Sequence, residues 1–207
     1  MGRSVADPLR LGIYGGTFDP IHNTHLDIAR AALNQTGLDK VLFVVAAAPP
    51  HKLQGVFAGP EDRLAMVEAA LQAEPRMEAS RIELDRTGPS YTADTVEAFH
   101  REYPEAELYL IIGSDSALDL PRWREPGRIL SLVHVLVVPR PGLSFCLAPP
   151  FTDSCQILDF AESPTASTDI RKRFAAGLET KNLLPPVVAD FIESKGLYRA
   201  ALENAPV

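Results

Sequence analysis

Residues 15–25, GGTFDPIHNTH, lie between a predicted strand and a predicted helix. The preceding run at 9–14, LRLGIY, is apolar, and apolar side chains recur at helical spacing over 26–33. A strand-to-helix turn near the start of an alternating β/α chain is where open parallel sheets place their ligands. This stretch therefore predicts both the class of fold and the location of the functional site.

The turn itself carries the residue types of an anion site. The pair Gly15-Gly16 allows a tight backbone path and a close approach to a ligand. His22 and His25 are three residues apart, so they face the same way on the first turn of a helix. The amides at a helix N-terminus favour an anion, and two imidazoles beside them suit phosphate. The alternative is an ordinary turn with surface histidines.

Composition and length limit the classes of protein that the chain can belong to. The 207 residues are enough for one sizeable α/β core and few for two domains. No apolar run of 18 or more residues predicts a membrane span, and residues 1–8 lack the apolar centre of a signal peptide. We therefore expect a cytoplasmic chain in which Cys146 and Cys155 are unpaired thiols.

The net charge of −7 argues against nucleic acid as a partner, because binding a phosphate backbone requires a broad basic face. If the substrate is a single nucleotide, positive charge must instead be concentrated locally. Histidine, lysine and arginine side chains near predicted loops are therefore the most informative residues of this chain.

The run at 40–46 is continuously apolar, as in a parallel sheet covered on both faces, whereas the run at 77–85 is interrupted by polar residues. The rest of the chain thus predicts five further strands. They lie at 40–46, 77–85 (a sheet edge), 107–112, 133–138 and 156–160. Polar residues follow three of them at the ends where such sheets bind ligands. Lys52 follows the second strand in a rigid Pro-Pro-His-Lys loop, in which His51 either shapes the loop or faces a substrate. Gly113 and Asp115 follow the fourth strand, and Arg140 the fifth.

A second candidate anion site lies at residues 163–173, SPTASTDIRKR. Ser167 or Thr168 is expected to cap a helix that Gly177 ends, and Arg171 adds a charge on its first turn. The neighbouring Lys172 and Arg173 are expected to be solvated.

Three other residues have structural interpretations from the sequence alone. Ser90 or Thr92 is expected to cap a helix over 95–100. Trp123, the only tryptophan, is typical of a core residue. Arg63, on a helix predicted at 61–73, is expected to face solvent.

Taken in order, five motifs resemble the signatures of the nucleotidyltransferase superfamily. They are GGTFDPIHxxH at 15–25, PPHK at 49–52, SYTxDT at 90–95, GSD at 113–115 and STDIR at 167–171. The SYTxDT motif resembles one branch, the nicotinate-nucleotide adenylyltransferases. Thr24 stands where the superfamily has glycine, and we expect its side chain to point away from the ligand. The superfamily form of the last motif is ISSTxIR, and here Thr165 and Ala166 replace its first two residues.

The resemblance implies an α/β fold, Rossmann-like and doubly wound. It has a mostly parallel sheet of five to six strands, helices on both faces and a small C-terminal helical part. We expect one domain over 1–207, with its core at 9–165 and the helical part, which carries the STDIR motif, at 166–198. The implied reaction transfers the adenylyl group of ATP to nicotinate mononucleotide, with Mg²⁺ carried by the triphosphate and few or no protein ligands to it.

The resemblance also implies which residues act. Those implied in catalysis are His22, His25, Lys52 and Arg171. Those implied in ATP binding are Gly15, Gly16, Thr17, Phe18, His22, His25, Ser167, Thr168 and Arg171. Those implied in mononucleotide binding are Lys52, Tyr91, Thr92, Gly113, Asp115, Trp123 and Arg140, with Asp115 and Gly113 at a ribose and Trp123 stacked on the pyridine ring.

Three alternatives use the same residues. The acceptor could be nicotinamide mononucleotide, the neutral amide analogue, or another phosphorylated compound such as phosphopantetheine. The chain could also be a nucleotide-binding regulator without turnover, which the combination of two histidines and Arg171 disfavours.

Overall fold

The structure, a computed structural model, describes residues 7–47, 57–139, 154–161 and 165–199. Within these ranges six strands form one sheet in the order β3-β2-β1-β4-β5-β6, and every neighbouring pair is parallel. The strands are β1 (Arg10–Gly16), β2 (Lys40–Val45), β3 (Met77–Ser80), β4 (Glu107–Gly113), β5 (Val133–Val138) and β6 (Cys155–Ile157). The predicted doubly wound parallel sheet is confirmed.

Seven α-helices connect or follow the strands in the described ranges. They are α1 (Asn23–Thr36), α2 (Pro60–Leu71), α3 (Thr92–Glu102), α4 (Ser114–Asp119), α5 (Pro126–Leu132), α6 (Ser167–Ala175) and α7 (Pro186–Lys195). A short 3₁₀ turn, Leu120–Arg122, joins α4 to α5. None of these helices is long and apolar enough to cross a bilayer.

Both faces of the sheet are buried, which explains the continuous apolar runs in the strands. Successive residues of β2 show this directly. Val41 and Phe43 belong to a cluster that α1, α2 and α7 cover, whereas Leu42 and Val44 belong to a cluster that α3, α4 and α5 cover. The sheet is therefore the middle of three layers, and the ends of its strands are the exposed edges of the core.

The strand order places a crevice beside the end of β1. This strand pairs with β2 as far as Gly16 but with β4 only as far as Ile13. The chain passes from β1 to β2 and then to β3 on one side of β1. After β3 it crosses to the other side of β1, where β4, β5 and β6 follow in order. The carboxyl ends of β1 and β4 thus diverge at the topological switch point, where such sheets bind ligands.

Several predicted boundaries differ from the structure. The third strand ends at Ser80, because residues 81–85 turn back through a hydrogen bond from the Leu84 N–H to the Arg81 carbonyl. The last strand ends at Ile157.

Neither predicted pair of capping residues caps its helix. Tyr91 and Ala166 are the N-cap residues of α3 and α6. The Ser90 hydroxyl instead accepts a hydrogen bond from the Ala47 N–H at 3.2 Å, which ties the start of α3 to the end of β2. Cys155 is a free thiol, and Cys146 lies outside the described residues.

Candidate active site

The turn after β1 places two histidines at the start of α1. His22 is the N-cap residue with an extended backbone, and its N–H donates to Nδ1 of His25 at 3.2 Å. The two rings lie 3.8 Å apart between centroids and are inclined by 33°. The ring of Phe18, whose φ is +49°, supports His25 edge-on at 5.1 Å. The local backbone therefore brings both imidazoles together, as their spacing predicts.

His22 is the buried member of the pair, with 4% of its surface exposed. Burial lowers the pKa of its imidazole to about 4, so the ring is neutral near pH 7. Its Nδ1 atom has no hydrogen-bond partner among the described residues. Buried polar atoms in folded proteins nearly always have a partner, so this atom is unusual. Because Nδ1 is itself inaccessible, a ligand can contact His22 only elsewhere on its ring.

The glycines before this turn differ in what surrounds them. A Cβ at Gly16 would lie 2.8 Å from the Phe18 ring. A larger residue at this position would displace that ring, so packing favours glycine. Gly15 is exposed, and a Cβ there would meet no described atom within 4 Å. Gly15 thus leaves the end of β1 open on its outer side, where a ligand could approach the backbone.

A buried carboxylate, Asp19, lies at the centre of the turn with 3% of its surface exposed. Its Oδ2 accepts the Phe57 N–H at 2.8 Å, and its Oδ1 accepts the Ala58 N–H at 3.1 Å and the Tyr198 hydroxyl at 2.8 Å. The preceding sequence analysis assigned no role to this residue, although it lies within the first motif. Asp19 joins the turn to the segment before α2 and to the end of the described chain.

Arg171 reaches the same turn from α6. Its guanidinium donates to the Asp19 main-chain carbonyl at 2.7 Å and lies 4.0 Å from the Asp19 carboxylate. The guanidinium also lies over the ring of Phe57, 4.4 Å from its centroid. The hydroxyl of Ser167, at the first position of α6, donates to the Pro20 carbonyl at 3.0 Å. The N-terminus of α6 is thus docked against the turn that carries the histidines.

Arg63 was expected to face solvent, and that expectation is wrong. Its side chain is buried, with 1% exposed, and donates to the carbonyls of Thr17, Ala46 and Ala58 at 2.8, 2.8 and 3.2 Å. Burial lowers the pKa of its guanidinium, while the nearby Asp19 carboxylate acts in the opposite direction. Arg63 therefore joins the turn, the end of β2 and the start of α2 beneath the site.

The loop before α7 holds the start of α1 in place. The Asn23 N–H donates to the Leu183 carbonyl and its side-chain amide donates to the Asn182 carbonyl, both at 2.9 Å. The first turn of α1 is thus anchored by a segment roughly 160 residues further along the chain. This contact fixes the helix whose N-cap is His22.

The described residues among those predicted to bind a mononucleotide lie on the β4 side of the crevice. Gly113 ends β4, Asp115 lies in the first turn of α4, and Thr92 begins α3 directly after Tyr91. Trp123 is half-buried and packs against the core cluster of that face, as its structural interpretation predicts. The Arg124 guanidinium lies 4.7 Å from the centroid of the Tyr91 ring and connects the two segments. Lys52, His51 and Arg140 lie outside the described residues.

Comparisons with known proteins identify the family of this chain. Residues 13–173 match the cytidylyltransferase-like family. The chain is 38% identical to the nicotinate-nucleotide adenylyltransferase of Bacillus subtilis, over 92% of this chain and 99% of that protein. It is 45% identical to a protein of Roseiflexus sp. (strain RS-1) named "Probable nicotinate-nucleotide adenylyltransferase", over 91% of this chain and 98% of the relative.

Solved structures share the fold at low sequence identity. The Plasmodium falciparum nicotinic acid mononucleotide adenylyltransferase, described as complexed with NaAD, matches with a TM-score of 0.76 and 18% identity, over 92% of this chain and 98% of that one. The chain belongs to the cytidylyltransferase-like family and, within it, to the nicotinate-nucleotide adenylyltransferases.

The buried His22 gives a prediction about pH and stability. Its pKa is about 4 in the folded protein and 6.5 in an ordinary environment, so the unfolded chain binds more protons between these values. The contribution of His22 to the free energy of unfolding is therefore complete above pH 6.5 and falls by about 3 kcal/mol as the pH is lowered to 4. Urea denaturation across this range should show a smaller loss in His22→Gln than in the wild type. The assignment would be contradicted if His22→Gln lost as much stability as the wild type. It would also be contradicted if the exposed control His134→Gln reduced the loss as much as His22→Gln does.

Proposed function

We propose that the chain transfers the adenylyl group of ATP to nicotinate mononucleotide, forming nicotinate adenine dinucleotide and pyrophosphate. The observation that carries the proposal is the convergence of His22, His25 and Arg171 on one turn at the switch point of the sheet. These side chains come from both ends of the chain. Their convergence is what a triphosphate needs, because its charge is spread over several phosphoryl groups.

The reaction is an in-line displacement at phosphorus. A phosphate oxygen of the mononucleotide attacks the α-phosphorus of ATP, a new P–O bond forms, and the bond to the β-phosphate oxygen breaks as pyrophosphate leaves. Such a transfer depends on positioning and on neutralising charge, and it needs no covalent nucleophile on the protein. The side chains on this turn are suited to both tasks.

Each side chain has a distinct role in this proposal. His25 supports the developing charge on the α-phosphate. His22, whose low pKa keeps the ring neutral, helps to hold the triphosphate. Arg171 carries the permanent positive charge and, with the backbone amides after Ser167, receives the departing pyrophosphate. Thr168, within hydrogen-bond distance of Arg171, orients the guanidinium. Lys52 is proposed as a further phosphate ligand.

The two substrates are proposed to occupy opposite sides of the crevice. ATP lies along residues 15–18, where Gly15 leaves the backbone open. The mononucleotide lies over the ends of β4 and β5, with Gly113 and Asp115 at its ribose and Trp123 against its pyridine ring. Tyr91, Thr92 and Arg140 complete its site, and the N-terminus of α3 favours a carboxylate over a neutral amide.

We propose that Mg²⁺ reaches the site on the triphosphate, where it supplies further neutralisation of phosphate charge. The described residues contain no group of three or more histidine, cysteine, aspartate or glutamate side chains arranged to hold a metal ion. ATP and nicotinate mononucleotide are the proposed partners, and the cytoplasm is the proposed location.

The test is pyrophosphate release by the full chain with ATP and Mg²⁺, run in parallel with nicotinate and nicotinamide mononucleotides. We expect turnover with both ATP and an acceptor present, and a higher kcat/KM for the acid because its carboxylate meets a helix N-terminus. Faster turnover of the amide would reverse the proposed specificity. ATP binding without pyrophosphate release from any acceptor would identify a nucleotide-binding regulator instead.

Two substitutions test the roles assigned to phosphate contacts. His25→Ala and Arg171→Ala should each lower kcat by roughly 10²–10³, the effect of removing one transition-state donor. Arg173→Ala is the matched control, because this exposed arginine on the same helix donates only to the Glu179 carbonyl among the described residues. A kcat for either site variant within about twofold of that of Arg173→Ala would exclude the role.

A further inference from the structure

We propose that Tyr198 is a positioning residue for the transfer reaction: its hydroxyl fixes the Asp19 carboxylate and, through Asp19, the turn to which Arg171 is bonded. This inference rests on the proposed function. It concerns a residue that the sequence alone marks only as the end of a structural helix. The supporting observations are the hydrogen bonds of Asp19, the backbone of Tyr198 and the route from Tyr198 to the site.

The first step is the hydrogen-bonding of Asp19. A carboxylate that is 3% exposed must have its oxygens satisfied within the protein. Tyr198 provides the only side-chain hydroxyl bonded to it in the described part of the chain, at 2.8 Å from Oδ1. The other direct donors to the carboxylate, Phe57 and Ala58, are backbone amides of one short segment. Tyr198 therefore holds the carboxylate from a segment that is distant in sequence from these amides.

The second step concerns the backbone of Tyr198, which follows α7. Gly196 ends this helix with a φ of +63°, and Tyr198 itself has a φ of +67°. A left-handed conformation is uncommon for a bulky residue and costs about 1–3 kcal/mol, so the surrounding structure must hold it. The conformation turns the chain back so that the ring enters the core, with 6% of the residue exposed. Its hydroxyl thereby reaches Asp19.

The third step is the route from Tyr198 to the proposed phosphate site. Asp19 receives the Tyr198 hydroxyl on its side chain and the Arg171 guanidinium on its main-chain carbonyl. It also lies three residues before His22, in the same tight turn. A shift of the carboxylate would therefore move the acceptor of Arg171 and the approach to the histidines together. Displacements of about 1 Å are enough to reduce rates up to 10²-fold.

Tyr198 acts through Asp19 and not on the substrate. Burial and the adjacent carboxylate both raise the pKa of its hydroxyl, so the group stays protonated and donates throughout the neutral range. Because the residue is almost fully buried, the phosphates of ATP have no direct access to it. The role is therefore one of positioning.

The experiment is a double-mutant cycle on kcat/KM for ATP, using Tyr198→Phe, Asp19→Asn and the double variant. Tyr198→Phe keeps the buried ring and removes only the hydroxyl. Measured well below the unfolding temperature, it should lower kcat/KM for ATP about tenfold, through both a lower kcat and a higher KM. If Tyr198 acts through Asp19, the double variant should be no slower than Asp19→Asn alone. If Asp19→Asn does not fold, Arg171→Lys takes its place in the cycle.

The matched control is Tyr109→Phe. The Tyr109 hydroxyl also donates to a carboxylate, that of Glu107 at 3.1 Å, but it lies early in β4, away from the crevice. We expect its kcat/KM to remain within twofold of the wild type and its effect to add to that of Asp19→Asn. An unchanged kcat/KM in Tyr198→Phe would overturn the positioning role. So would a double variant whose fold-loss in kcat/KM equals the product of the losses of Tyr198→Phe and Asp19→Asn.

The affinity for a non-hydrolysable ATP analogue, measured by calorimetry on the same variants, separates this proposal from the proposed function. If the wild type releases no pyrophosphate, the proposed function fails, and weaker analogue binding in Tyr198→Phe than in Tyr109→Phe would still support the positioning role. Equal affinities in that case would overturn it. If the wild type turns over, the kinetic cycle alone decides the role of Tyr198.

Discussion

The burial of one carboxylate, Asp19, is the constraint on which the rest of the site depends. An uncompensated buried charge costs several kcal/mol, so the fold must bring donors to it. They come from the segment before α2 and from the residues after α7, while Arg171 and Arg63 supply positive charge nearby. Satisfying this carboxylate therefore joins segments that are distant in sequence around the turn that carries the histidines.

Backbone strain in the described residues is concentrated around this site. Four residues other than glycine have a positive φ: Phe18, Glu125, Asn182 and Tyr198. Phe18 supports His25, the Asn182 carbonyl anchors the start of α1, and Tyr198 bonds to Asp19. Glu125 directly follows Arg124, whose guanidinium lies over Tyr91. Such conformations persist only where the surrounding structure holds them, and they cluster at functional sites.

The sequence predicts the sheet well because its signal is local. Continuous apolar runs predict the buried strands β1, β2, β4 and β5. The edge strands β3 and β6 have weaker patterns and are shorter than predicted. Strand and helix ends are less well predicted, as at Ser80 and Tyr91, because turns and contacts between segments determine them. The grouping of His22, His25 and Arg171 follows from motifs at strand and helix ends, which a parallel sheet brings to one edge.

The supporting residues escape prediction because their contacts are non-local. The Tyr198 hydroxyl bonds to a residue 179 positions away, and no periodic pattern encodes that contact. The position of Arg63 in its helix did indicate burial, because Met66 and Ala70 follow it at helical spacing and both are buried. Its charge favoured the opposite prediction. An arginine on a buried helical face can be accommodated when backbone carbonyls surround it, as they do here.

The central claim is that one triphosphate is held by side chains that the Asp19 turn brings together. The most direct measurement is a crystal structure of the full chain with Mg²⁺ and a non-hydrolysable ATP analogue. The account predicts phosphate oxygens within hydrogen-bond distance of both the His22 ring and the Arg171 guanidinium. A triphosphate bound away from this turn, in contact with neither side chain, would contradict it.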